Sequence, residues 1–323
     1  MAGFKVVTVP SGPDGTVDLK ALEASLSDRT AGLMITNPNT LGIFESNITE
    51  IADMVHDAGG LMYYDGANLN GILGIARPGD MGFDIVHLNI HKTFGAPHGG
   101  GGPGAGPVGV KSFLADYLQI PIIEKDGDWY YLKYDLPKSI GMIKGSPGNF
   151  LVLLKGLAYI LLLGGEGLRS VAIRSVENTN MLIRLLKDAP GLTLPYDPER
   201  PRKHEVAVSL EKLREETGVR AMNVAKRLLD YGVHAPTMYF PAIVEEALLI
   251  ELPETENPQD VERYARILED VLREAYENPE MVLSAPHNTS IRRLDEAMAS
   301  KPKTMALTWR MYMAKRRSGL IDY

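Results

Sequence analysis

The sequence predicts an α/β fold, with a large domain built on a mostly parallel sheet and a smaller C-terminal α/β domain. Short apolar runs rich in β-type residues alternate with amphipathic helical patterns, and glycine and proline separate them. This order is typical of parallel strands joined by right-handed crossover helices. The apolar fraction of 45% in 323 residues is sufficient for a full core. We place the large domain at residues 1–190 and the small domain at 191–323.

The first part of the large domain alternates between strands and helices. The residues from Lys5 to Val9 alternate as a strand does, and Asp18 is the expected cap of a helix over 19–26. Asn47 is the expected cap of a helix over 48–58, which Gly59 and Gly60 end. Further strands are predicted over 31–36, 61–64, 83–88 and 106–110. Because the first strand begins almost at residue 1, we expect the large domain to be N-terminally incomplete.

The rest of the large domain is predicted to contain a hairpin and two helices. The β-type residues of 120–134 surround Asp126 and Gly127, which is a plausible hairpin turn. The most apolar segment, 150–163, is interrupted by Lys155 and Gly156 and is shorter than the roughly 20 residues that a membrane-spanning helix needs. We therefore predict a buried helix and no membrane span. A second helix is expected from about Glu166 to Leu186.

The C-terminal third shows a strand, a helix, a second strand and a second helix. The predicted strands cover 205–210 and 248–252, and the first helix covers 219–231. Asn257 followed by Pro258 is a strong start signal for the last helix. Its apolar positions repeat on one face, and they are Val261, Tyr264, Leu268, Val271, Leu272 and Ala275.

Composition and charge argue against several classes of function. The net charge is −7 and no basic patch covers a domain, which argues against nucleic acid as the main partner. The absence of cysteine excludes disulfides, thiolate metal ligands and a thiol nucleophile, and it fits a reducing cytoplasm. The seven histidines include no pair at metal-ligand spacing on one helix, so we predict no metal site. The basic stretch 301–317 is either a solvated helix face or a contact for an acidic partner.

Two apolar strands end in residues that suit a pyridoxal phosphate site. The strand at 61–64 runs into Asp65, and the strand at 83–88 is followed by Lys92, which precedes a loop with glycine at 99–102, 104 and 106. A sheltered lysine amine can bind an aldehyde covalently. A carboxylate beside a pyridine nitrogen favours the protonated ring, which then withdraws electrons from a substrate carbon. The pair therefore predicts this cofactor.

Neighbouring residues complete the candidate site. Asn89, His91 and Thr93 offer hydrogen-bond donors for a phosphate, and Ala67 is small enough to lie against a flat ring. A simpler interpretation stays open for each feature. An aspartate at a strand end is often only a turn cap, a lysine after a histidine is often solvated, and a glycine run is often a surface loop.

Longer words of the sequence resemble a known family. The segments are 36–42, 63–70, 77–84, 87–110, 137–141, 148–150, 236–241 and 292–296. They resemble the glycine cleavage system P-protein, in particular the second subunit of its two-subunit form, which is a fold-type I pyridoxal phosphate enzyme. The resemblance covers nearly the whole chain, in words such as Arg-Pro-Gly-Asp-Met-Gly at 77–82.

The resemblance implies an oxidoreductase, a glycine dehydrogenase (decarboxylating, aminomethyl-transferring). Such an enzyme removes the carboxylate of glycine and transfers the aminomethyl group to the lipoyl arm of the H-protein. By resemblance, Lys92 is the catalytic lysine that forms an imine with the cofactor and Asp65 is the partner of the ring nitrogen. Ala67, Asn89, His91 and Thr93 are further cofactor contacts, and Asn39 and His98 are candidates for the substrate side.

The resemblance also implies partners and a difference from the family. The expected partners are the P-protein subunit 1, in a heterotetramer, the lipoylated H-protein, and the T- and L-proteins of a cytoplasmic system. The family's second subunit has a long N-terminal segment that supplies part of the phosphate cup and a ring-stacking side chain. This sequence lacks it, so we expect weak cofactor binding and little activity from the chain alone.

Two other interpretations compete with this one. The chain could be another fold-type I lyase, such as an amino acid decarboxylase or a desulfurase-like protein. It could also be a truncated, non-catalytic assembly subunit that only docks the other half of the enzyme. Retention of both Lys92 and Asp65 argues against the second, since a scaffold has no use for a lysine that binds an aldehyde.

Overall fold

A computed structural model describes residues 3–98, 104–143, 145, 148–301 and 308–319. Its larger sheet has four strands in the order β1-β2-β3-β4, namely Gly32–Thr36, Leu61–Gly66, Ile85–Leu88 and Val108–Val110. β1, β2 and β3 are parallel, and β4 is antiparallel to β3. The predicted strands and the mostly parallel sheet are therefore confirmed.

Helices cover the sheet where the sequence predicts them. Helix α1 is Leu19–Ser25, and the Asp18 side chain accepts hydrogen bonds from its first amides. Helix α2 is Ile48–Asp57 and packs its buried face against β2. A one-turn helix, α3 (Ile90–Thr93), follows β3. The first core lies between these helices and the sheet, and its members include Leu22, Ile51, Val55, Met62, Tyr64 and Phe83.

The strand predicted from Lys5 to Val9 does not form. These residues pair with no strand among the described parts of the chain, and Val6 is 85% exposed. An alternating pattern shows only that a segment is compatible with a sheet, because a strand also needs a neighbour to bond its backbone.

The remaining elements follow the predicted order. The hairpin is β5 (Ile122–Asp126) and β6 (Trp129–Lys133), and the long helix α4 is Phe150–Leu185, broken at Gly164 by non-helical dihedral angles. The C-terminal third forms an antiparallel sheet of order β7-β9-β8. The strands are β7 (Glu205–Ser209), β8 (Thr237–Met238) and β9 (Ala247–Glu251). The helices of the C-terminal third are α5 (Glu211–Thr217), α6 (Ala221–Asp230), α7 (Pro258–Glu277), α8 (Pro279–Leu283), α9 (Glu296–Ala299) and the helix Trp309–Arg317. We did not predict α5 and β8.

A second core fills this C-terminal part. It contains Leu182 at the end of α4, and it continues through β7, α6, β9 and α7. The α7 face is buried as the sequence predicts, with Val261, Leu268 and Leu272 each fully inaccessible. The domain boundary near Pro190 and Gly191 stays a prediction.

The prediction that residues 150–163 form a buried helix is wrong about the burial. Val152 and Gly156 are buried, but Phe150, Leu151 and Leu162 are 72%, 71% and 83% exposed. A lone helix lying on one core can bury only one side. Because this half of α4 is apolar all round, its outer side is left uncovered by the described part of the chain.

By length and composition alone, α4 is long and apolar enough to cross a membrane. The break at Gly164 and the charged residues after it, such as Glu166 and Arg169, limit its apolar part to less than the roughly 20 residues required. Core helices of soluble proteins that are mostly buried pass the same test, whereas only 11% of the apolar window of α4 is buried.

The cap of α7 gives a prediction about stability. The Asn257 side chain accepts from the Asp260 amide at 2.9 Å, whereas Asn47 makes no side-chain cap bond at the start of α2. We expect Asn257→Ala to lower the free energy of unfolding by about 1 kcal/mol. Asn47→Ala is the matched control and should change it by only a few tenths of that amount. Urea denaturation of the two variants measures this, and equal losses would contradict the assignment of the cap.

Candidate active site

Lys92 is carried on the single turn α3, which α4 holds in place. Ile90 is buried on this turn and packs against Gly156 of α4. A Cβ atom at Gly156 would lie only 2.7 Å from Ile90 Cγ2, so the close approach of the two helices depends on this glycine. The packing fixes the turn from below and leaves the Lys92 side chain exposed on the other side.

Lys92 lines an open cavity of about 830 Å³ between the two parts of the chain. The wall on the side of the larger sheet contains Ala67, Asn68, Asn70 and His91. The opposite wall comes from the C-terminal third, and its polar residues are His204, Glu205, His234, Thr237, Glu251, Glu256, Asp260 and Arg263. This volume is in the range of small-molecule and cofactor sites.

Two polar atoms on α3 indicate that a polar ligand fits here. His91 Nδ1 and Thr93 Oγ1 are buried and have no hydrogen-bond partner within the described residues. Buried polar atoms are nearly always paired, so two unpaired atoms on one turn need an explanation. Burial, together with the charges of His98 and Lys92, lowers the pKa of His91. A neutral His91 and a threonine hydroxyl suit the phosphate and polar ring groups of pyridoxal phosphate.

Asp65 is the second-last residue of β2, and its carboxylate contacts Ala67 and His87. Its Oδ1 accepts from the Ala67 amide at 3.0 Å and lies 3.2 Å from His87 Nε2. The side chain of Asp65 is 34% exposed, and it is absent from the lining of the cavity that contains Lys92. The structure thus brings Ala67, His91 and Lys92 to one cavity and places the Asp65 carboxylate beside it.

The other predicted residues take different places. Asn89 is the half-buried residue before α3, and its side chain makes no cap bond. Asn39 donates to the Gly15 carbonyl and accepts from two amides of its own loop, so its side chain shapes that loop and does not line the cavity. His98 is exposed and stacks edge-to-face on His91, with ring centroids 4.2 Å apart. Residues 99–102 of the glycine loop lie outside the described residues.

Our interpretation of the sequence missed a pair of acids. Glu205 and Glu251 are direct cross-strand partners on β7 and β9. Asn68 Nδ2 donates to Glu205 Oε1 at 2.8 Å, and Asn70 Nδ2 donates to Glu251 Oε1 at 2.7 Å. The segment that follows Asp65 is thereby bound to the C-terminal sheet at the cavity.

Burial changes the proton affinity of this pair. Desolvation and the charge of Glu251 raise the pKa of Glu205 to about 8, and desolvation raises that of Glu251. The positive charge of Lys92 lowers both, so the amine lies close enough to interact with them. Burial and the Lys92 charge lower the pKa of His204 to about 3, so this ring is neutral near pH 7. Within the described residues, no group of three or more histidine, aspartate or glutamate side chains could hold a metal ion.

Comparison with known proteins shows which proteins the chain is similar to. The family model described as glycine dehydrogenase, C-terminal domain, matches residues 172–291, and the model described as aminotransferase class-V matches residues 1–101. The probable glycine dehydrogenase (decarboxylating) subunit 2 of Pyrococcus abyssi is 58% identical over 325 aligned positions, which cover 100% of this chain. The chain is thus similar over its whole length to glycine dehydrogenase (decarboxylating) subunit 2 proteins. It spans 64% of the length of that relative.

Solved structures with the same fold include two enzymes. A crystal structure of glycine decarboxylase (P-protein) of the glycine cleavage system, in inhibitor-bound form, has a TM-score of 0.69 and 26% identity, covering 83% of this chain and 60% of that one. A cysteine desulfurase from Thermococcus onnurineus has a TM-score of 0.62 at 16% identity, covering 84% and 67%, and shows the fold alone. The predicted fold-type I architecture is confirmed.

The acid pair gives a prediction about pH. A glutamate ordinarily titrates near 4.5, so the folded chain keeps a proton on Glu205 up to about pH 8 that the unfolded chain has lost. The contribution of Glu205 to the free energy of unfolding should therefore fall as pH rises from about 4.5 to 8, by an amount on the order of a few kcal/mol. His204, whose pKa is lowered on folding, contributes in the opposite direction below about pH 6.5, so the net fall should appear between about pH 6.5 and 8. Glu205→Gln has no such proton to lose and should remove this fall.

Urea denaturation at several pH values measures this pH dependence, and the exposed Glu23→Gln variant is the control. An equal fall in the unmodified chain, Glu205→Gln and Glu23→Gln would rule out Glu205 as the source of the dependence.

Proposed function

We propose that this chain takes part in the pyridoxal phosphate-dependent decarboxylation of glycine, with transfer of the aminomethyl group to the lipoyl arm of an H-protein. The observation that carries the proposal is the position of Lys92. Its exposed amine lies in a large cavity, on the same short turn as two buried polar atoms that have no hydrogen-bond partner among the described residues. The sequence similarity to glycine dehydrogenase subunit 2 supports the choice of reaction.

The residues of the chain would divide the work of holding the cofactor. Pyridoxal phosphate, when bound, supplies an electron sink for the carbon that loses CO2. Lys92 would bind the aldehyde through its amine and would hold or release a proton at Nζ. Asp65 would keep a proton on the ring nitrogen through its negative charge. Ala67 and Asn89 would contact the ring side, and Thr93 and His91 would donate to polar groups.

The two glutamates on the cavity wall from the C-terminal third suit a role in holding protons. Glu205 and Glu251 would hold protons near the amine of Lys92, since Lys92 interacts with both. Asn68 and Asn70 would keep the two carboxylates oriented. We place glycine in the same cavity, with His98 as a candidate for its side of the site; Asn39, whose side chain is bonded within its own loop, would act there only through the shape of that loop.

Borohydride trapping tests the role of Lys92. With saturating pyridoxal phosphate, reduction should label the chain at Lys92, and peptide mapping locates the label. Lys92→Arg should abolish the labelling, because a guanidinium does not bind the aldehyde. Lys111→Arg is the matched control, since Lys111 is partly exposed and pairs with Asp84 outside the cavity.

The position of the label decides the outcome. A label on any lysine other than Lys92 in the unmodified chain would remove the assignment.

The reaction itself is tested by exchange of the glycine carboxylate with labelled bicarbonate. Exchange that depends on an H-protein supports glycine decarboxylation, and exchange or decarboxylation of other amino acids without it favours a different fold-type I lyase.

We further propose that the chain acts with a companion subunit, as the subunit 2 designation of its relatives implies for them, and together with the T- and L-proteins in the cytoplasm. The outer side of the first half of α4 supports a protein partner, because Leu151, Leu161 and Leu162 are 71%, 73% and 83% exposed. Contiguous exposed apolar surface of this kind marks interaction sites. We assign it to the companion subunit 1.

A charge on this face should disrupt the assembly. Leu161→Glu should weaken association with co-expressed subunit 1 at least about tenfold, because the interface would bury an unpaired carboxylate. Since Leu161 is already exposed, the free energy of unfolding of the chain should stay the same. Leu294→Glu, at an exposed apolar position outside α4, is the control. Sedimentation of the mixed subunits measures the change, and unaltered association in Leu161→Glu would exclude this face.

A further inference from the structure

Three side chains form a continuous line beside the candidate cofactor site, joined by one hydrogen bond and one close polar contact. The Tyr63 hydroxyl lies 3.0 Å from His87 Nδ1, and His87 Nε2 lies 3.2 Å from Asp65 Oδ1. The Tyr63 and His87 rings are also in contact, with centroids 5.7 Å apart. No local sequence pattern indicates this line, because His87 lies on a different strand from Asp65.

The parallel pairing of β2 and β3 creates the line. Asp65 and His87 are register partners on the two strands, and Tyr63 lies two residues before Asp65, on the same face of β2. The two strands approach closely at this point. A Cβ atom at Gly66 would lie 1.9 Å from the His87 carbonyl oxygen, so only glycine fits after Asp65.

The chemistry of the three groups suits one neutral tautomer of His87. Asp65 is a carboxylate and can only accept, so a proton on His87 Nε2 suits this contact. In that tautomer Nδ1 carries no proton and accepts from the Tyr63 hydroxyl. Burial and the charge of Asp65 raise the pKa of Tyr63, which keeps its phenol protonated and able to donate.

We propose that His87 and Tyr63 are positioning residues for Asp65. His87 occupies one lone pair of Oδ1, and the Ala67 amide occupies another. The carboxylate is held near the end of β2, and Oδ2, which has no polar contact with the described residues, is left for a cationic partner. This inference rests on the proposed function for the identity of that partner, a protonated pyridine nitrogen, but the line of contacts exists in the chain without it.

The tautomer of His87 tests the line independently of cofactor. In the full chain labelled with 15N-histidine, His87 should carry its proton on Nε2, with an unprotonated Nδ1. Tyr63→Phe should shift the Nδ1 resonance, and Asp65→Ala should speed solvent exchange of the Nε2 proton and mix the tautomers. His87→Gln assigns the signal. A proton found on Nδ1, or no response to Asp65→Ala, would overturn the proposal.

The cofactor readout separates this proposal from the proposed function. With added pyridoxal phosphate, His87→Gln should lower the affinity about tenfold and shift the absorption of the protonated ring. His56→Gln is the matched control, because His56 makes a similar bond, 2.8 Å to Asp84, outside the site. Correct tautomer signals without trapping at Lys92 would refute the proposed function but leave the line of contacts. Trapping at Lys92 with equal affinities in the two variants would refute the positioning role.

Discussion

The parallel pairing of β2 with β3 is the constraint on which the candidate site depends. It places Asp65 beside His87 in register, and it brings the short turn with Lys92 to the same edge of the sheet. Ligands of open α/β sheets bind at the carboxyl ends of the strands, where the two loops meet. A shift of one residue in this pairing would place Asp65 on the opposite face of the sheet relative to β3. It would then be separated from both His87 and Lys92.

The elements that could be predicted from the sequence are those with local signals. Asn257 and Pro258 specify where α7 begins, and its apolar repeat specifies the buried face. The runs that end at Asp65 and before Lys92 were recognisable because apolar β-type residues stop abruptly at a charged residue. His91 and Thr93 were recognisable as hydrogen-bond donors beside Lys92, and the resemblance implied them as cofactor contacts, but no local pattern shows which of their atoms is buried.

The features that could not be predicted depend on distant partners. Glu205 and Glu251 are neighbours only because β7 and β9 pair in one register. The residues between the two strands contain no pattern that predicts this register. A charged residue at the edge of each apolar strand was the only available signal. The burial of residues 150–163 was mispredicted for a related reason: an apolar pattern reports that a surface avoids water, but not which chain covers it. The segment from Lys5 to Val9 is a similar case, because its alternating pattern does not show whether a neighbouring strand is present to form backbone hydrogen bonds.

The acid pair and Lys92 constrain each other. Two carboxylates facing each other across a ladder repel, and burial adds a desolvation cost to each charge. The positive charge of Lys92 offsets part of this cost, because it lowers the pKa of both acids. Any ligand that removes the charge of Lys92 also removes this offset, so the pair must then bind a proton more tightly. Proton uptake by Glu205 or Glu251 is thereby coupled to the state of the Lys92 amine, and Asn68 and Asn70 keep the carboxylates in place while it occurs.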